Sequence, residues 1–289
     1  MLGVLNSQFF SSLMGALFGA LAGATAAHRI AQKSKEKENL LEQLRSTNSA
    51  LMSSYMICNA YLLLKDQQVK DLYLTFSKKR EEYEKIISGE AKSPMFEYQA
   101  DFIRVVLPKI PLNILNEQVY RKLNLNGRPV AATAQIDNTI ASLESVIDTR
   151  DFVIQSFRES PEMDAEMKAN LYFGFPLPGG ATNTEYADAL RGIATYVDDV
   201  IFFSKLLCDD LAEHGQKTRL RLQEKYGEEP PKVNKVDLSG AEDKGLIPDL
   251  EQYSEWIEGY KTLEPNEETG NWLSRILKKV HNQSQKVDA

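Results

Sequence analysis

NLLEQLRSTNSALMSSYMICNAYLLLKDQQVKDLYLTFSKKREEYEKII, residues 39–87, contains neither proline nor glycine, the two residues most costly inside a helix. Within it Leu44, Leu51, Tyr55, Cys58, Leu62, Val69, Leu72, Phe76, Tyr83 and Ile86 recur at mixed steps of three and four. That spacing keeps them on one face of a helix with about 3.6 residues per turn. Asn48, Lys65 and Lys79 fall in the same seam, so the pattern predicts a bundle or coiled-coil-like helix rather than an ideal zipper. Ser88 and Gly89 supply a favourable stop.

Toward the amino terminus, residues 9–27 (FFSSLMGALFGALAGATAA) carry no charged side chain. Nineteen helical residues reach roughly 28 Å, close to the ~30 Å hydrocarbon thickness of a bilayer. The stretch is expected to be a single transmembrane helix. Arg29, Lys33, Lys35 and Lys37 follow it at once, with Glu36 the one acid among them, and nothing before Ala27 is charged. Basic residues resist translocation, so the body is expected in the cytoplasm with the amino terminus outside. Ser11, Gly15, Gly19, Gly23 and Ala27 recur every fourth position, the small-residue spacing that lets helix backbones approach in lipid and predicts a homo-oligomer. Two rivals share these letters: a cleaved signal peptide ending at the small residues before Ala27, which lacks a basic n-region, and a buried helix of a soluble protein.

Beyond Gly89 the reading is of further helices. Ser93-Pro94 is expected to start one that carries Phe96, Phe102, Ile103, Val106 and Leu107 until Pro108 and Pro111 close it. Another is expected over 112–123. Asn124 to Gly127 is a turn, and Pro129 opens a helix of about thirty residues with Ile136, Ile140, Leu143, Ile147, Ile154 and Phe157 at helical spacing. A short helix follows Pro161. Thr182, Asn183 and Thr184 then offer N-caps for a long helix over 185–226. Past Pro231 the composition turns polar, giving a linker or extended arm, a short helix around 248–260 and an amphipathic basic helix over 271–280 that holds Trp272. The expected fold is all-α: a transmembrane anchor (1–31), a long juxtamembrane helix (32–88), a helical body (89–230), and a linker with short C-terminal helices (231–289).

Composition narrows the function classes. The 289 residues carry a net charge of −7, and the basic residues form no aromatic-interleaved stripe to track a phosphate backbone, so nucleic acid is not an expected partner. Cys58 and Cys208 are the only cysteines; both fall on apolar faces of expected helices and indicate neither a disulfide framework nor a zinc site. Tyr196-Val197-Asp198-Asp199 has the letters of the segment that holds catalytic Mg²⁺ in reverse transcriptases. Those enzymes carry it on a β-hairpin beside a third aspartate, whereas here it lies in a helical stripe, so the match is one of letters. Asp210 and His214 stand one turn apart, but a di-iron bundle needs that unit twice. A solvated acidic face with an Asp–His hydrogen bond is the expected arrangement. No Walker loop, nucleotide-binding glycine fingerprint or HExxH occurs. No catalytic residue, metal or cofactor is therefore assigned, and a membrane-associated interaction protein with an unidentified protein partner is the leading expectation. A tethered enzyme is the alternative, with a ligand loop at Phe173, Phe175, Gly179 and Gly180, where apolar rings and turn glycines adjoin a helix N-terminus.

Overall fold

In the computed structural model, which describes residues 8–91, 96–160, 162–227 and 229–260, every regular element is a helix. The first, α1 (Gln8–Leu64), runs without a break from the apolar stretch into the seam. A π-helical turn at Lys65–Val69 joins it to α2 (Lys70–Ile87), which stops at Gly89 with φ +77°. There follow α3 (Leu112–Glu117), extended by a second π turn at Gln118–Lys122, then α4 (Arg128–Glu159), α5 (Ala165–Phe173), α6 (Glu185–Tyr226) and α7 (Ser239–Asp243). The described residues through Pro248 form one compact unit and those from Asp249 a second. In the latter, Asp249 caps a 3₁₀ turn by accepting from Glu251 N at 3.1 Å, and α8 (Ser254–Glu258) follows.

The core of the first unit is built on α6, which packs along both α1 and α4. Both pairings are antiparallel. On one side Lys225 meets Glu36, Ser54 Oγ donates to the Ser204 carbonyl at 2.8 Å, and Lys65 meets Asp198. On the other, Arg128 meets Asp210 and the Arg150 guanidinium lies over the Tyr186 ring. The α1–α6 seam alternates leucines with small residues, and Thr47, Ala50, Ser54, Cys58, Ser204 and Gly215 are all buried in it. Small side chains bring the two backbones close. A Cβ on Gly215 would meet the Val233 methyls at 3.0 and 3.1 Å and Thr47 Cγ2 at 3.2 Å. The α3 segment packs against α1 and α4.

Residues 96–111 are not the expected helix; they form an extended strap. Its backbone groups are claimed by side chains instead of by an i→i−4 ladder. The Asp101 carbonyl accepts from Arg150 Nη2 and from the Tyr186 hydroxyl, each at 3.0 Å, and the Asp101 N–H points at the Tyr172 hydroxyl at 3.4 Å. Asp101 Oδ1 accepts from Ile103 N at 2.9 Å in a local turn. Phe96, Tyr98 and Phe102 then face inward at even positions, against Tyr83, Phe157, Tyr172, Phe173 and Tyr186. Residues 232–238, after Pro231, form no regular element and are pinned: Asn48 Nδ2 donates to the Lys232 carbonyl and Asn48 Oδ1 accepts from Asn234 N, both at 2.9 Å.

Candidate functional site

Along the amino-terminal part of α1, residues 12–35 are exposed except half-buried Met14. Leu17, Phe18 and Leu21 are about three-fifths exposed (58–66%) although they are large and apolar. Exposed apolar surface of this extent is unusual on a soluble chain. Gly15, Gly19 and Gly23 lie in this segment, and among the described residues nothing beyond the neighbouring backbone of their own helix comes within 4 Å of where a Cβ would stand; Ala27 is exposed with them. Ser11 is in the same helix. This is the one helix, among the described residues, long and apolar enough to cross a membrane. Of the basic flank, Arg29, Lys33 and Lys35 are exposed and Lys37 is half-buried with its ammonium 5.9 Å from the centre of the Tyr226 ring.

The 173–180 loop is held at both ends. Asp164 caps α5 by accepting from Met167 N at 2.7 Å, and Gly174, with φ +75°, ends it as Phe175 N returns to the Asn170 carbonyl at 2.8 Å. Phe173 and Phe175 are buried in the aromatic cluster, and the Arg80 guanidinium covers the Phe175 ring at 4.8 Å. Gly179 and Gly180, at φ +108° and +87°, form the outer turn, closed by Gly180 N on the Leu177 carbonyl at 2.9 Å. The loop's rings therefore face the core with Gly174, and Gly179 and Gly180 face the solvent. Beside it lies an open cleft of about 440 Å³ bordered by Glu84, Ser88, Glu166, Asn170 and Pro176, whose lining contains no histidine or cysteine.

Arg150 is wholly buried on α4, a position that sequence reading passed over. Its Nη2 reaches the Asp101 carbonyl and its Nη1 is 3.6 Å from Asp151 Oδ1, while Nε has no hydrogen-bond partner. The signal was present in the sequence: Leu143, Ile147, Arg150 and Ile154 follow the core spacing, so the arginine stands in core register. Lys65 follows the same logic between Leu62 and Val69. Its ammonium pairs with Asp198 Oδ1 at 2.6 Å and donates to the Leu246 carbonyl at 3.0 Å, while Asp66 pairs with Lys244 at 3.0 Å. The π turn thus clasps both α6 and the C-terminal arm. Asp198 is spent on this structural pair, and burial raises its carboxyl above the usual range although Lys65 pulls the other way.

Asp210 does not bond to His214. The guanidinium of Arg128, at the start of α4, takes its carboxylate in a two-pronged contact, with Nε to Oδ2 at 3.1 Å. His214 Nε2 is buried without a hydrogen-bond partner, and burial, with Lys217 adding to it, holds the imidazole below its ordinary pKa. Among the described residues no group of three or more His, Cys, Asp or Glu side chains is placed to hold a metal. No protein-family model matches the chain, and no significant match joins it to a curated protein or a solved structure. The 271–280 segment lies outside the described residues.

Proposed function

We propose that this chain is a single-pass membrane protein whose helical body faces the cytoplasm and works by binding other proteins, assembled as a homo-oligomer through Ser11, Gly15, Gly19, Gly23 and Ala27. The observation that carries the reading is the exposure of α1 before the basic flank: none of its most apolar window is buried against the rest of the chain. Lipid supplies the missing environment, and the uncharged amino-terminal side with the basic side after it sets the orientation. The continuity of α1 gives oligomerisation a mechanical route, since the helix that pairs in the bilayer is the helix that forms the α1–α6 seam. The body supports binding rather than catalysis through what its polar groups do, because Asp198 and Asp210 are each engaged by a cation within the fold.

The test is made on the full chain in its native membranes. Alkaline carbonate should leave it in the pellet, protease added to inside-out vesicles should reach the body, and amine cross-linking should give dimers or higher species that Gly19→Ile reduces. Release by carbonate sinks the anchor, and a cross-linked ladder unchanged by Gly19→Ile sinks the small-residue pairing.

A further inference from the structure

The carboxyl-terminal end of α6 stands beside the basic flank of α1. Lys225 and Arg221 both reach Glu36, the latter at 3.5 Å, and the Tyr226 hydroxyl donates to the Lys33 carbonyl at 3.1 Å. Two stretches far apart in sequence thereby pool their charge. Arg29, Lys33, Lys35 and Lys37 surround one acid, Glu36, and Lys217, Arg219, Arg221 and Lys225 surround one, Glu224, in a chain whose net charge is −7. Glu36 serves two cations at once, Glu213 pairs with Lys217, and Glu229 sits 3.9 Å from Arg219. Arg221 remains 65% exposed and Lys225 41%, with Lys33 and Lys35 exposed beside them. At about 1.5 Å per residue, Lys33 lies ~6 Å beyond Arg29 along α1 and Glu36 ~10 Å beyond it. That is about one Debye length at physiological salt, so cations at both levels feel a charged surface placed at Arg29.

We propose that the α6 terminus and the α1 flank form one basic collar that docks on the anionic headgroups of the leaflet the anchor enters, giving the body a second, electrostatic attachment. The inference rests on the anchor reading above. The occupant follows from the geometry: the collar lies beside and along the helix that leads into the bilayer, so headgroup phosphates are the anions the anchor brings within its reach. The collar fixes how the body is held relative to the bilayer, and each cation near the surface shifts the ratio of docked to undocked body on the order of fivefold.

Full-length protein carrying Gln223→Cys, an exposed position on the last turns of α6, is labelled with a donor dye and reconstituted into lipid discs doped with acceptor-labelled lipid. One set of discs is neutral phosphatidylcholine and the other contains about a third phosphatidylglycerol. Energy transfer should be higher in the anionic discs, should fall to the neutral level in 0.5 M NaCl, and should be lost in the triple variant Lys33→Glu, Lys35→Glu, Arg221→Glu, whose docked ratio drops at least about a hundredfold from the three lost cations alone. Reversing Lys109, away from the collar, should change nothing. The salt titration of the unreversed protein keeps the test decisive if the triple variant does not fold. Equal transfer in both lipids, or a lipid effect indifferent to both salt and charge reversal, overturns the collar and leaves the anchor standing. A chain that fails to enter discs at all overturns both.

Discussion

Arg150 Nη2 donates to the main-chain carbonyl of Asp101 at 3.0 Å, and the Tyr186 hydroxyl shares that same oxygen. A guanidinium that is fully buried and bonds to a neutral carbonyl, with its nearest carboxylate oxygen 3.6 Å away, costs desolvation that such contacts do not fully return. Its return is geometric: it ties the extended strap to α4 and α6. The expected consequence is an asymmetry between two substitutions. Arg150→Met fills the volume without a charge and should leave urea stability within about 1.5 kcal/mol of the parent, or raise it. Arg150→Ala leaves a cavity and should cost about 2–5 kcal/mol. Equal losses in the two would mean that the hydrogen bond, and not the filled space, stabilises the strap.

Gly215 and Val233 meet where the arm crosses the α1–α6 seam, with 3.0 Å between a Cβ at 215 and the nearer valine methyl. Glycine inside a helix costs about 1 kcal/mol relative to alanine, so Gly215→Ala gains on propensity while overpacking takes back about 1–3 kcal/mol. The single variant should be less stable than the parent. Combined with Val233→Ala, which removes the two nearest methyls and leaves Thr47 Cγ2, at 3.2 Å, as the remaining close contact, the same glycine substitution should become far less costly or stabilising. A double-mutant cycle in urea reads the reversal, and additive effects would show that the arm yields freely.

The long helices α1, α4 and α6 were legible because their apolar residues keep one period over thirty or more positions, and no local preference competes with a stripe that long. The strap was not. Phe96, Phe102, Ile103, Val106 and Leu107 satisfy helical spacing, yet the backbone at Asp101 is more useful to Arg150, Tyr172 and Tyr186 than to a ladder. That preference depends on residues 49 to 85 positions away, and no local window contains it. The Asp210–His214 pair failed for the same reason: i,i+4 spacing is local, while the arginine that takes the carboxylate is 82 positions upstream. The row of small residues from Ser11 to Ala27 was legible as a pattern, and the structure adds that Gly15, Gly19 and Gly23 meet nothing outside their own helix among the described residues and that Ala27 is exposed beside them.

Cys58 donates to the Ile201 carbonyl at 3.7 Å and Cys208 to that of Leu51 at 3.9 Å, both buried as free thiols in the seam. Burial raises both above the ordinary thiol range, Cys208 to about 12. The raised values keep both thiols protonated at pH 8, away from the thiolate that is the reactive form. Neither cysteine should react with iodoacetamide at pH 8 in the folded protein, and both should react after denaturation in urea. Mass spectrometry counts the adducts; labelling of either residue at the rate of a free thiol would show that the seam opens.

His214 gives stability a pH dependence with a definite sign. Its imidazole has a lower pKa in the folded chain than in the unfolded one, from burial first and Lys217 second, and Arg128 adds a further cation to the neighbourhood through Asp210. The unfolded state therefore binds the proton first as pH falls, and stability present above the unfolded value near 6.5 is lost as pH drops toward the folded value. His28 is exposed on α1 and His281 lies outside the described residues. The urea midpoint should fall between pH 7.5 and 5.5 in the parent and fall less in His214→Gln, which keeps a polar side chain of similar length without the titration. Asp198, a carboxyl raised by burial, contributes with the opposite sign, its stability lost as pH rises from its unfolded value of about 3.8 toward the folded one; parent and variant both carry it, so the comparison between them isolates the histidine. The two groups therefore push in opposite directions wherever their ranges overlap. A midpoint that falls by the same amount in parent and variant would remove His214 as the source of the acid sensitivity.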